Sequence, residues 1–180
     1  MRGGFGTVGQ ETTLLRVLDR EISRSIRHGH PLVVALIKGN RLKYQKVKDD
    51  FRTSDLVFKG LNGQYLVVLT ETSLANGAFV LERFVQRYPV NSAAIIDAAL
   101  IPSAARLVGV GSRYAAKAQS IASRPVIALL RGLQLGLFRA QVRRRQDQPP
   151  PVYSVTPEDI RLAVSQSYER ILDDLTKKVA

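Results

Sequence analysis

The chain has no cysteine, no tryptophan and a single methionine, and only 15 Asp plus Glu stand against 27 Lys plus Arg in its 180 residues. Without cysteine there is no disulfide, no thiol nucleophile and no thiolate metal site, and the cytosol is the expected compartment. No uncharged apolar run approaches the roughly 18 residues of a membrane span. The N-terminal Met1-Arg2-Gly3-Gly4-Phe5-Gly6 has a charge but no apolar stretch behind it, so no secretory signal is expected. The shortage of acid leaves a formal net charge of +12, which favours polyanions such as nucleic acid, nucleotides or an anionic bilayer without naming one. With 45% hydrophobic and 23% charged residues, the composition suits one globular domain with an appendage.

From Glu11 to His28 the apolar residues Leu14, Leu15, Val17, Leu18, Ile22 and Ile26 recur at helical spacing, with arginines on the opposite side and Gly29 as the stop. Pro31 leads into Leu32-Val33-Val34-Ala35-Leu36-Ile37, a short β-branched run that suits a strand buried on both faces. Asn40 to Phe51 is polar and weakly helical. Leu56-Val57-Phe58 and Tyr65 to Leu69 read as strands flanking a tight turn at Asn62-Gly63. Thr72 or Ser73 caps a helix ending at Tyr88-Pro89, and Ala93 to Ile101 reads as a strand closed by Pro102, with Asp97 an odd acid inside it.

This order predicts an α+β fold, a ferredoxin-like or palm-like β-α-β-β-α-β sheet with an N-terminal helix and a helical C-terminal extension. Residues 1–10 are Gly-rich and expected to be loose, and Ser103 to Ser123 is Ala-rich and helical. Residues 124–148 form a basic amphipathic helix, and 149–155 a proline-rich linker. Residues 156–180 form a last helix, opened by Thr156-Pro157-Glu158-Asp159 with a cap, a first-turn proline and first-turn acids. There is no internal repeat.

The stretch Arg52-Thr53-Ser54-Asp55-Leu56-Val57-Phe58-Lys59-Gly60-Leu61-Asn62-Gly63-Gln64-Tyr65-Leu66-Val67-Val68-Leu69 resembles the heart of the GGDEF family of diguanylate cyclases, with Leu61 to Tyr65 in the place of the signature. Upstream, Leu18 to Leu32 is similar to the family's helix and the start of its first strand. The resemblance covers roughly residues 10–120 and implies that 11–123 are a degenerate GGDEF-like domain. In the family, carboxylates hold magnesium against a triphosphate. Here the first-strand metal aspartate falls at Lys38, the second acidic position at Asn40, and the signature acids at Gly63 and Gln64. Leu61 replaces the first signature glycine, where its side chain should fill the guanine's space. The resemblance so altered implies a module without cyclase activity, needing no cofactor and no metal.

Arg52-Thr53-Ser54-Asp55 stands where the family carries its Arg-x-x-Asp product-inhibition site, with the accessory arginine near Arg83. This implies a place for cyclic di-GMP, because a guanidinium fork and a carboxylate suit a guanine edge or a phosphate. The plain alternative is that Asp55 caps the strand and Arg52 is solvated. In the basic helix, Ile127, Leu130, Leu137 and Phe138 with Arg143, Arg144 and Arg145 form an apolar face flanked by cations, suited to its own domain, a homodimer or a protein partner. A nucleic-acid-binding domain on the same sheet is the competing reading, weakened by the scarcity of aromatics among the basic residues. His28 and His30 lack a third metal ligand nearby and read as turn residues.

Overall fold

An apolar run with no polar face fits only the middle of a covered sheet. In the computed structural model, which describes residues 8–101, 124–143 and 152–164, that run is β1 (Leu32–Lys38), the central strand of a five-stranded sheet. Around it in chain order come α1 (Val8–His28), α2 (Tyr44–Asp50), β2 (Leu56–Lys59), β3 (Gln64–Thr70), α3 (Leu74–Arg87), β4 (Ser92–Asp97), α4 (Arg124–Arg143), β5 (Val152–Ser154) and α5 (Pro157–Val164). The sheet order is β2-β3-β1-β4-β5. The first four strands are antiparallel neighbours, as the sequence predicts for a ferredoxin-like or palm-like α+β sheet, and β5 adds in parallel to β4.

The alternation of β1 side chains assigns each face a helical layer. Val34 and Leu36 join Leu14, Leu18 and Ile22 of α1 and Leu129 and Leu133 of α4. Val33, Ala35 and Ile37 join Val47 of α2 and Leu81, Phe84 and Val85 of α3. Leu18 and Phe84 are both fully buried, and a side chain of that kind contributes about 1.5–3 kcal/mol when removed from water. Ser73 starts α3 by accepting from the Asn76 amide.

Two boundaries differ from the sequence reading. β4 ends at Asp97, not Ile101: the Asp97 carboxylate accepts from the Ala99 amide at 2.9 Å and turns the chain into a short 3-10 helix, Ala98–Leu100. The odd acid is therefore a cap. The proline-rich linker stops before Val152, because Val152–Ser154 pairs with Ala93–Ile95 and Val155 donates to the Ile95 carbonyl at 2.8 Å. The extension is thus part of the same sheet. Its close approach to α4 depends on Gly136, where a Cβ would lie 2.7 Å from Val155 Cγ2 and 3.1 Å from Ala94 Cβ. The expected helix at 103–123, the start of the linker and the end of the last helix lie outside the described residues.

Candidate functional site

The β2–β3 hairpin turns at Asn62 (φ 54°) and Gly63 (φ 69°), the two left-handed residues a type I′ turn requires. The Leu61 carbonyl accepts from the Gln64 amide at 3.1 Å, and the Gly63 carbonyl from the Gly39 amide at 3.0 Å. This second bond ties the hairpin to the loop after β1. A Cβ at Gly63 would sit 2.8 Å from the Gly39 carbonyl oxygen, so hairpin and loop are in backbone contact with no room for a side chain. Leu61, beside the turn, is 43% exposed.

Strand register brings the signature positions together. Lys38 lies opposite Gln64 on one side and Ser92 on the other. Asn91, which the sequence reading did not single out, holds the loop by donating its amide to the Lys38 carbonyl at 2.7 Å and accepting from the Asn40 amide at 3.4 Å. Lys38, Asn40, Gly63 and Gln64 therefore share one end of the sheet, and none supplies an anionic oxygen. The Ser92 hydroxyl beside them is buried without a hydrogen-bond partner. Among the described residues no three His, Cys, Asp or Glu side chains gather to hold a metal. These residues do not fit a magnesium ion, since a lysine ammonium repels one and amides alone are weak substitutes for carboxylates.

Arg52 and Asp55 lie at the other end of β2. Asp55 Oδ2 accepts from the Arg52 amide at 3.0 Å while the Asp55 amide donates back to the Arg52 carbonyl at 3.0 Å, so the pair closes a turn. Asp55 Oδ1 is buried with no hydrogen bond. Burial pushes the Asp55 carboxyl above its ordinary value, against the opposing pull of the Arg52 and Thr70 amides and the Arg52 charge. The Arg52 side chain is exposed, and Arg83 is exposed on α3 with no hydrogen bond or ion pair to either residue among the described ones. Next to this turn, Arg20, Glu21, Arg24, His30, Thr70 and Glu71 line a groove of about 270 Å³ of mixed charge.

The apolar face of α4 is turned mainly onto the domain itself. Leu137, expected on a partner-binding face, is 5% exposed and lies in the core; Ile127 and Leu130 pack against that core half-buried. Phe138 is half-buried and Arg143 exposed. Arg144 and Arg145 lie outside the described residues. Beyond sequence reasoning was a polar cluster pinning α5 to α4. Asp159, with no side-chain exposure, pairs with Arg139 and accepts on Oδ2 from the Tyr153 hydroxyl at 3.1 Å and from the Thr156 amide and hydroxyl at 2.8 Å each. Thr156 in return accepts from the Asp159 amide at 3.2 Å, a capping box whose acid the sequence signals. The partner arginine is not signalled. Burial is the largest influence on Arg139 and disfavours its charge, but the Tyr153 hydrogen bond and the Asp159 carboxylate together outweigh it and raise its pKa. The His28 and His30 rings are 6.1 Å apart. No helix among the described residues is long and apolar enough to cross a membrane.

No family model and no curated protein matches the chain. Among solved structures it is similar to a delta-N form of PA1120 (TpbB or YfiN) from Pseudomonas aeruginosa comprising only the GGDEF domain, at 15% identity and a TM-score of 0.55 over 89% of this chain and 92% of that one. A looser match, at 20% identity and a TM-score of 0.38 over 66% of this chain and 54% of that one, is to diguanylate cyclase SiaD in complex with its activator SiaC from the same organism. The fold is that of a GGDEF-like domain.

Proposed function

We propose that this chain is a GGDEF-like module that makes no cyclic dinucleotide and works by binding, chiefly through protein contacts. One observation carries the reading: Lys38, Asn40, Gly63 and Gln64 are gathered at the end of the sheet by the β1–β3 register and the Gly39–Gly63 bond. That is where the family resemblance calls for magnesium carboxylates. An ammonium next to two amides cannot replace two hard anionic ligands, and the GTP triphosphate has nothing to share a metal with. The test is calorimetric titration of GTP with and without magnesium. Magnesium should not tighten binding, since it only lowers the nucleotide's charge in solution; a magnesium-dependent gain in affinity would contradict the reading.

A second reading, sensing of cyclic di-GMP, is favoured by Asp55 Oδ1, a buried acceptor with no partner, beside an exposed guanidinium on Arg52. Because Oδ1 is shut off from solvent, guanine N1 and N2 donors would reach it only when the Arg52–Asp55 turn opens. Titration of cyclic di-GMP into the protein and into Arg52→Ala tests it. Saturable binding lost in the variant supports a receptor, and no binding to the unaltered protein leaves the protein-contact reading alone.

A further inference from the structure

The cations of this chain are unevenly neutralised. Arg20 and Arg24 are paired with Glu21, Arg87 with Asp50, Arg139 with Asp159 and Arg161 with Glu158. Among the described residues Arg27 and Arg83 are also outside any ion pair, but they stand singly, whereas at the hairpin end such cations cluster, with Asp49 and Asp50 at the far end of α2 as the acids nearest in sequence to residues 38–48. Residues 38–48 hold five basic side chains and no acid, and residues 56–70 add Lys59 and again no acid. Lys38, Arg41, Lys43, Lys46, Lys48 and Lys59 make no ion pair among the described residues, and all but Lys38 are exposed. Two of the five exposed large apolar groups among the described residues occur in the same segments: Leu61 at the hairpin tip, 43% exposed, and Tyr44 at the start of α2, 37% exposed.

The backbone holds these features in register. The Gly39–Gly63 hydrogen bond fixes the hairpin tip to the loop that follows Lys38 and bears Arg41, and the Tyr44 hydroxyl donates to the Val57 carbonyl at 3.3 Å, holding α2 against β2. From this arrangement we infer that the hairpin end is a docking surface for an anionic phospholipid bilayer, with Leu61 entering the acyl boundary and the lysines and Arg41 meeting headgroup phosphates. The combination of an aliphatic tip, a half-exposed tyrosine and unpaired cations matches the layered chemistry of a membrane interface, apolar inside and anionic outside. A nucleic-acid backbone gives an exposed leucine nothing to contact. A discrete phosphate pocket is not favoured either, because Gly63 and Gly39 are already in contact. The inference does not depend on whether cyclase chemistry is absent.

Sedimentation with phosphatidylcholine vesicles, with and without phosphatidylglycerol, tests it on the full chain. Binding should require phosphatidylglycerol and fall as salt is raised. Lys43→Glu with Lys46→Glu should weaken it by at least about tenfold, since each basic residue at such a surface contributes on the order of 1 kcal/mol. Leu61→Ser, at an exposed position, should weaken it several-fold with the fold intact by circular dichroism. Arg16→Glu with Arg27→Glu on α1 makes the same charge change away from the hairpin and should have little effect. Equal losses in the two charge-reversed proteins would reduce the binding to net charge and overturn the inference. So would an unchanged Leu61→Ser, release of vesicles by millimolar inorganic phosphate, or tighter binding to duplex DNA than to the vesicles at the same salt.

Discussion

Replacing Asp159 by alanine removes the acceptor on which α5, β5 and α4 converge. Three donors meet at Oδ2, from Tyr153 at 3.1 Å and from the Thr156 amide and hydroxyl at 2.8 Å each. A hydrogen bond to a charged group contributes about 1.5–3 kcal/mol, but a donor that regains water recovers most of this. Thr156 is exposed, and the Arg139 side chain is 35% exposed, so both can be resolvated. The Tyr153 hydroxyl, in a residue 8% exposed, cannot readily do the same. The cost of Asp159→Ala should therefore be about 2–4 kcal/mol, below the upper range for breaking a buried ion pair. Thr156→Ala deletes only the capping half and should cost about 1 kcal/mol. Urea unfolding monitored by circular dichroism, with matched m-values, reads both. If Asp159→Ala costs no more than Thr156→Ala, the carboxylate does not hold the C-terminal segment and the role assigned to the cluster is wrong.

Asp55 gives a pH dependence of known sign. Its folded-state pKa is raised by burial, so its contribution is fully present below the unfolded value of about 3.9 and is lost as pH rises through the folded one. Asp55→Asn keeps an acceptor for the Arg52 amide and should gain in stability relative to the unaltered protein between pH 4 and pH 7; urea titrations at both pH values showing a relative loss would contradict this. Gly63→Ala should destabilise by about 1–3 kcal/mol, from its positive φ of 69° and a Cβ 2.8 Å from the Gly39 oxygen, and an unchanged urea midpoint would show that the loop can move away. Leu18→Ala, at a fully buried position of α1, should cost about 2–5 kcal/mol; a loss under 1 kcal/mol would mean that α1 is not part of the core.

Features that depend on neighbouring residues were legible in the sequence. The run at 32–37 announced a two-sided strand, Asn62-Gly63 the turn between β2 and β3, and Thr156 with Asp159 a helix start. The shortest element escaped. Val152-Tyr153-Ser154 is too brief to show a period and follows three prolines, so only its pairing with Ala93–Ile95 reveals a strand. Asp97 was misread for a related reason, since a carboxylate inside an apolar run gives no sign that it will accept from the amide two residues on. At the candidate site, the resemblance named Lys38, Asn40, Gly63 and Gln64, but the cross-strand register and the support from Asn91 are long-range facts of packing. The face of α4 was ambiguous because the same apolar stripe serves a partner or the domain's own sheet, and Leu137 lies in the domain's own core.

The most direct measurement is a cyclase assay with the protein in excess over GTP, in magnesium and separately in manganese, with the nucleotides separated chromatographically. With Lys38 and Gln64 side by side where metal carboxylates would be needed, GTP should be recovered unchanged. Formation of cyclic di-GMP above a no-protein control would contradict the central claim.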